Sequence, residues 1–338
     1  MENLPKFEVI GNVPEEEKDK YRSYKKDIFI KQGEMLPKER AEELNALEQE
    51  KTPEEIVILN LINEETSRLM KECGVEPFDI PIQNYHILPP EGLKKFFGTD
   101  SDGVYKNYAV GLSSELRSSL LDFATTAFHE SLHMKSRSIW ELYEDEKGKI
   151  KHNEYRGGVR SFSPNTKDEK GIRVGHFSGL DEAIVSWQEK IFLQKFLSIP
   201  ELAKEKQVYD SEENKLLRQK IAKKRGLPED EILGVDSSSE RVLMYGYYGH
   251  RRVLEYVCEE ISKEFDDKYQ SREDVFKDFL RSNFDGNLIL IARLMKQTFG
   301  DMGLRALSTM RIGYPSGGIE NLLEMLRKMR RNVLNGKK

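Results

Sequence analysis

An α+β fold, predominantly helical and carrying a small β-sheet, is predicted by three observations. Most of the chain reads as apolar residues recurring every three to four positions, the period of a helix with one buried face. Two short segments rich in Ile and aromatic residues, Phe78–Leu88 and Val104–Leu112, read instead as strands. Directly after the second comes a stretch from Leu116 to Ile139 with no Gly and no Pro. Within it lies His129-Glu130-Ser131-Leu132-His133. Two histidines four residues apart stand on one face of a helix and can share a metal ion. The glutamate between them can take a proton from a water held there.

The elements are predicted in sequence order as follows. Residues 1–50 form a charged N-terminal arm, Glu- and Lys-rich from Glu15 to Lys26, with Ile28-Phe29-Ile30 as its one apolar spot and a charged helix over Pro37–Glu50. A well-marked helix begins at Thr52. The threonine caps it, Pro53 fits the first position, Glu55 completes a capping box, and Gly74 ends it. Pro81 inside the first strand-like segment argues for an edge position. In the His-Glu helix, Leu120, Leu121, Ala124, Ala127, Phe128 and Leu132 form the buried stripe, and the histidines lie beside it.

Glu144 to Gly179 is polar and Gly-containing, with a hairpin expected between Glu154–Phe162 and Gly171–Phe177 across Ser163–Thr166. Ser178–Phe196 is again helical, with Ser178 and Asp181 as a possible capping box and Ala183, Ile184, Trp187, Ile191, Phe192 and Phe196 as its apolar face. Residues 201–238 read as a charged helical insertion, with a helix capped at Asp210 and ended at Gly226. A longer helix is expected over Glu240–Glu264, starting at the cluster Tyr245-Gly246-Tyr247-Tyr248-Gly249-His250. Two more follow, Arg272–Arg281 and Asn287–Thr309. Residues 313–338 form a basic C-terminal helix or tail. The domain organisation expected is thus an arm, one catalytic domain over 51–312 and the tail.

Composition narrows the function. Charged residues make up 33% and the formal net charge is -5, which gives no reason to expect nucleic-acid binding. The 2 cysteines, Cys73 and Cys258, are far apart and form no C-x-x-C pair, which suits a reducing cytoplasmic setting. The first residues carry neither a basic stretch nor an apolar run, so no secretory leader is expected. No apolar run approaches the length of a membrane span. Nothing in the pattern assigns an oligomeric state.

A catalytic zinc site uses three protein ligands and keeps one position for water. Beyond His129 and His133, the third ligand has three candidates. Glu182 lies in the first turn of an apolar helix, beside the small Ala183, where it can be held rigidly. Glu154 follows Asn153 but sits in a strand or turn. His176 is close to Glu182 in sequence. Asp181 can orient a ligand histidine or merely cap the helix.

His129-Glu130-x-x-His133 together with Leu180-Asp181-Glu182-Ala183 resembles the gluzincin-type zinc metallopeptidases, most of all small cytosolic bacterial members. The resemblance covers roughly residues 52–310. It differs from metzincins, since Ser136 and Ile139 stand where that pattern has a Gly and a third His. Cys73 does not match the deformylase motif. The resemblance implies a zincin-like catalytic core with Zn2+ on His129, His133 and Glu182 and with Glu130 as general base. A Tyr or His from a later helix would stabilise the oxyanion, drawn from Tyr245, Tyr247, Tyr248 and His250, with Tyr248 and His250 favoured. The implied activity is that of a hydrolase, a protease acting on a peptide or protein substrate. The separation between the two motifs is longer than in the thermolysin branch. A non-catalytic interaction protein with a structural or vestigial metal is the competing class, and a metal hydrolase acting on a non-peptide amide is a third.

Overall fold

A computed structural model describes residues 4–5, 7–31, 38–167, 173–236, 241–312 and 317–336. Its mostly helical architecture with small mixed sheets is the α+β class expected. The charged N-terminal segment does not stand apart. Strand β1 (Phe7–Ile10) runs parallel to a strand that follows the His-Glu helix, with Phe7 opposite Ser138 and Ile10 opposite Glu141. Helix α1 (Glu15–Lys31) buries Tyr21, Lys25, Ile28 and Phe29. α2 (Lys38–Leu47) buries only Leu44.

α3 (Pro53–Glu72) starts with the expected capping box. The Glu55 amide donates to Thr52 Oγ1 at 3.2 Å, and the Thr52 amide donates to Glu55 Oε2 at 2.8 Å. The same carboxylate accepts from Arg117 at 2.7 and 2.9 Å, so the cap is tied to the approach to the His-Glu helix. The buried face runs through Ile58, Leu59, Ile62, Leu69 and Met70, and Ile56 is turned outward.

The two strand-like segments are shorter or more broken than their composition suggests. Pro81 has no amide hydrogen to give a ladder, and the backbone makes a 3-10 turn at Ile82–Asn84 before β2 (Tyr85–Leu88). α4 (Pro90–Phe96) follows. The segment 104–112 is a tight hairpin, β3 (Gly103–Lys106) and β4 (Ala109–Ser113), whose turn residues Asn107 and Tyr108 both have positive φ, 50° and 62°. Such a two-residue turn matches the twist of paired strands, but without a glycine it is hard to see in the sequence. β4 lies between β2, parallel, and β3, antiparallel, so β3 is an edge.

α5 (Leu120–Lys135) carries the His-Glu motif. It is shorter than the Gly- and Pro-free stretch, because Ser119 caps its start and Ser138 already begins β5 (Ser138–Glu144). β6 (Ile150–Gly157) pairs antiparallel with β5, and β7 (Arg160–Lys167) with β6 through the turn Gly158-Val159. Ser163–Thr166 thus lies within a strand and not in the expected turn. β8 (Arg173–His176) pairs with β7, Phe162 opposite Gly175, completing the sheet β1-β5-β6-β7-β8.

α6 (Ser178–Phe196) has the predicted bounds but a different start. Phe177, at φ 60°, is its N-cap and makes no side-chain capping bond, while Ser178 Oγ accepts from the Ile312 amide. Ile191 on its expected apolar face is exposed. α7 (Ala203–Asp210) and α8 (Glu212–Arg225) follow, the latter capped by Ser211 and ended by Gly226 at φ 66°. The expected helix over Glu240–Glu264 begins later. β9 (Ile232–Asp236) and β10 (Arg241–Met244) form a two-stranded ladder, and α9 (Tyr248–Glu264) starts only after it; Glu240 lies outside the described residues.

α10 (Arg272–Asp285) packs on α9. The stretch 287–309 is split by Gly300 into α11 (Ile289–Phe299) and α12 (Gly303–Ser308). In α13 (Gly318–Gly336), Arg330 is buried against Glu260 (3.0 Å) and Glu264 (2.8 Å) of α9, so part of the basic tail is internal. Lys337 and Lys338 lie outside the described residues. No helix among the described residues is long and apolar enough to cross a membrane.

The main core runs from Phe29 and Ile58 through Phe123, Phe128 and Leu132 to Phe196, Val253 and Leu326. α5 lies in its middle, between α3 and α6. Replacement Thr52→Ala should lower unfolding stability by about 1 kcal/mol, read as a shift in the urea midpoint at unchanged slope.

Candidate metal centre

α5 is held by its apolar stripe. Phe128 stacks on Phe192 of α6, ring centroids 4.4 Å apart, and meets Phe196 edge-on at 5.8 Å. This contact draws the first turns of α6 against the last turns of α5. There, His129 Nε2, His133 Nε2 and Glu182 Oε2 converge. The two nitrogens are 3.2 Å apart, and the carboxylate oxygen is 3.2 Å from the first and 3.4 Å from the second. Donors about 2.0–2.1 Å from a tetrahedral zinc stand about 3.3 Å from one another. These three are the one group of metal-binding side chains found among the described residues.

The other ring nitrogens define the tautomers. His129 Nδ1 lies 3.0 Å from Glu189 Oε2, and His133 Nδ1 lies 3.1 Å from Asp181 Oδ2. A carboxylate only accepts, so each Nδ1 carries the hydrogen, and a bound cation would take each ring in its neutral form through the Nε2 lone pair. Three polar atoms face one point, and the carboxylate among them draws positive charge there, either as protons on the imidazoles or as a bound cation. The titration behaviour agrees. Burial opposes protonation of His129, but its hydrogen bonds to Glu182 and Glu189 hold its pKa well above the usual value. Burial likewise opposes protonation of His133, yet the Glu182 charge and Asp181 raise it to about 9. Burial would raise Glu182, but the two histidines hold it well below the carboxylate range.

Asp181 therefore serves His133 and caps nothing. Glu154 and His176 are not in the cluster. Glu154 accepts from Tyr105 Oη at 3.1 Å and lies 3.4 Å from Arg160, while His176 is in β8 opposite Ser161.

Glu130 opens into the same cavity as the three ligands, about 720 Å³, between β3, β5, β6 and the start of α9. Burial raises its pKa, while the Tyr105 backbone amide donates to it. It fits there because residue 103 lacks a side chain. A Cβ on Gly103 would lie 2.4 Å from Thr126 Cγ2 and 3.1 Å from Glu130 Cγ. Two aromatic rings flank the ligands. Tyr105 lies over His133 (6.4 Å, 20°) and Tyr247 over His129 (6.1 Å, 17°).

Of the four expected aromatic and histidine candidates, Tyr247 lines the cavity. It sits at positive φ, 57°, just before α9, and its phenol hydrogen-bonds Glu182. Tyr245 is buried in a side cluster with Leu193 and Leu243. Tyr248 is the first residue of α9, with the Arg252 guanidinium over its ring. His250 lies behind Tyr247, its Nε2 2.9 Å from the Arg311 carbonyl. Sequence reasoning missed Glu189 altogether, although a carboxylate seven residues after Glu182 is two turns along the same helical face. It also missed Tyr105 and Arg160, which no local pattern marks.

Comparisons with protein-family models, with curated proteins and with solved structures found no match. The functional reading rests on the site itself.

Glu189→Ala should weaken the affinity for an added divalent metal ion about 10–100-fold through loss of the His129 orientation, with the far-ultraviolet circular dichroism unchanged. A chelator competition titration measures it, and unaltered affinity would remove Glu189 from this role.

Proposed function

We propose that the protein is a zinc-dependent metallopeptidase of the gluzincin type, with zinc on His129, His133 and Glu182 and with Glu130 as general base. The observation that carries this reading is the triangle of two imidazole nitrogens and one carboxylate oxygen, opening beside Glu130 into a cavity. A purely structural zinc site is closed by four protein ligands, whereas a catalytic one has three and an open position. Two imidazole nitrogens and a single carboxylate suit zinc, which takes N and O donors at this spacing.

When bound, zinc would lower the pKa of a water toward ~7 and polarise the scissile carbonyl. Glu130 accepts the proton of the attacking water and delivers it to the leaving amine. Its burial raises its basicity above that of an ordinary carboxylate, which favours the first of these transfers. Asp181 and Glu189 hold the two imidazoles in the tautomer that presents Nε2. The Tyr247 phenol, kept protonated by burial and by the neighbouring carboxylates, donates to the oxyanion as it forms. Among the described residues β3 pairs only with β4, and its outer edge runs along the cavity, where an extended peptide could add beside the Tyr105 amide that Glu130 now accepts from.

Glu130→Gln should retain about one zinc per molecule and lose peptide hydrolysis by several orders of magnitude. Glu182→Ala should lose or greatly weaken zinc itself. Metal analysis by mass spectrometry and a peptide-library digest check both. Zinc retention with undiminished hydrolysis in Glu130→Gln would remove Glu130 as the base, and absence of zinc from the reconstituted wild type would end the proposal.

A further inference from the structure

The cavity wall on the His133 side carries a cation that the proposed hydrolysis does not use. Arg160, the first residue of β7, follows the tight turn Gly158-Val159 and lines the cavity together with the ligands. Its guanidinium rests over the Phe162 ring at 5.4 Å and approaches Glu154 Oε2 through one nitrogen at 3.4 Å. Its Nε is buried with no hydrogen-bond partner. An arginine fork has five donors arranged for a planar carboxylate, and this one hydrogen-bonds Glu154 through one nitrogen only.

The neighbouring acids are engaged elsewhere. Glu154 receives the Tyr105 hydroxyl at 3.1 Å, Glu189 is taken by His129, and Glu182 is a ligand. Burial raises the Glu154 carboxyl toward its neutral form, which loosens its hold on the guanidinium further. Burial works against the Arg160 charge, but Asp181 and then Glu154 outweigh it and keep the guanidinium firmly charged. Yet Asp181 Oδ2 is spent on His133, and its Oδ1 has no partner. The guanidinium is thus a partly buried cation with one weak ion pair and one orphaned donor, Nε. Leaving a buried donor unsatisfied costs stability, and this side chain lines the cavity, where a group arriving from outside can meet it.

Resting on the peptidase reading, we infer that Arg160 binds a carboxylate of the substrate close to the scissile bond, which makes the enzyme selective for acidic substrates. A peptide's free C-terminus and an Asp or Glu residue within it present the same chemistry, and the experiment separates them.

Zinc-loaded Glu130→Gln protein, in which the chemistry is removed, is titrated calorimetrically with a set of N-acetylated hexapeptides of one sequence. One has a free C-terminal carboxylate, one a C-terminal amide, and the rest are amides with Glu replacing Gln at each position in turn. Binding of a carboxylate-bearing member should be at least about tenfold tighter than that of the neutral amide. A gain from the free C-terminus identifies the peptide end, and a gain at one Glu position identifies a side-chain pocket. Arg160→Gln in the same background should abolish the gain while leaving zinc content and neutral-peptide affinity in place. Arg160→Lys should restore only part of it, since a point charge lacks the fork. Equal affinity for all members, or a gain that survives Arg160→Gln, overturns the inference, and the first result does so whether or not the variant folds. The peptidase reading fails separately. A carboxylate gain with no cleavage by the wild type leaves the anion site standing, whereas cleavage without any carboxylate preference removes only the role of Arg160.

Discussion

The contact between α5 and α6 is the constraint on which the rest of the molecule depends. Phe128 against Phe192 and Phe196 places two aromatic pairs at the helix crossing, each worth about 0.5–1.5 kcal/mol beyond the area buried. One turn further along, the same crossing brings two imidazole Nε2 atoms and a carboxylate oxygen to within 3.2–3.4 Å of each other. That cluster concentrates positive charge beside the Glu182 carboxylate, on the imidazoles or on a bound cation. It persists because the apolar face of α5, buried among α3, α6 and the β2-β4-β3 sheet, leaves neither helix free to withdraw. Core packing thus holds together three side chains that could bind a metal, and a bound metal would add to folding stability.

Around that point the charges are layered. The inner layer is the ligand triangle. Outside it, Asp181 and Glu189 each bond one Nδ1, and both come from the helix that supplies the third ligand. One short run of α6 therefore both completes the triangle and sets the tautomers of the histidines on α5. Beyond lie two aromatic flanks of different character. On the His129 side, Tyr247 presents a phenol next to Glu182. On the His133 side, Tyr105 leads through Glu154 to Arg160. The two flanks belong to different parts of the sequence, the β9–β10 unit with α9 and the β3 and β6–β7 strands, so the cavity between them exists only in the assembled fold.

Outlying segments contribute by bracing these flanks. β1 pairs with β5, the strand that follows α5 and carries Trp140 into the cavity wall. Lys25 of α1, almost wholly buried, lies 3.5 Å above the Trp140 ring, and the cost of burying it lowers its pKa to about 8. At the other end, Arg330 of α13 pairs with Glu260 and Glu264 and secures α9, whose N-terminus follows Tyr247. Segments that read as charged appendages are in fact the supports of the two walls.

How much of this the amino-acid order determines follows from the range of each interaction. The motif helix, the capping box at Thr52 and the helix from Ser178 to Phe196 are legible because helical periods and caps are local, decided within four or five residues. The placing of Glu182 opposite the histidines is readable as one of three options, since a carboxylate in the first turn of an apolar helix is held rigidly. Other features needed the tertiary structure. The hairpin turn at Asn107-Tyr108 has no glycine, and the two-stranded ladder of β9 and β10 rests on strand pairing that helical periodicity does not reveal. Which of Tyr245, Tyr247, Tyr248 and His250 faces the ligands depends on the left-handed backbone at Tyr247, which turns that ring over His129 and sets His250 behind it. Glu189, Tyr105 and Arg160 join the site through contacts between elements dozens of residues apart. The sequence alone determined which side chains could hold a metal, and only the packing of the elements decided which groups surround it, because orientation, burial and charge neighbourhood are properties of the assembled core.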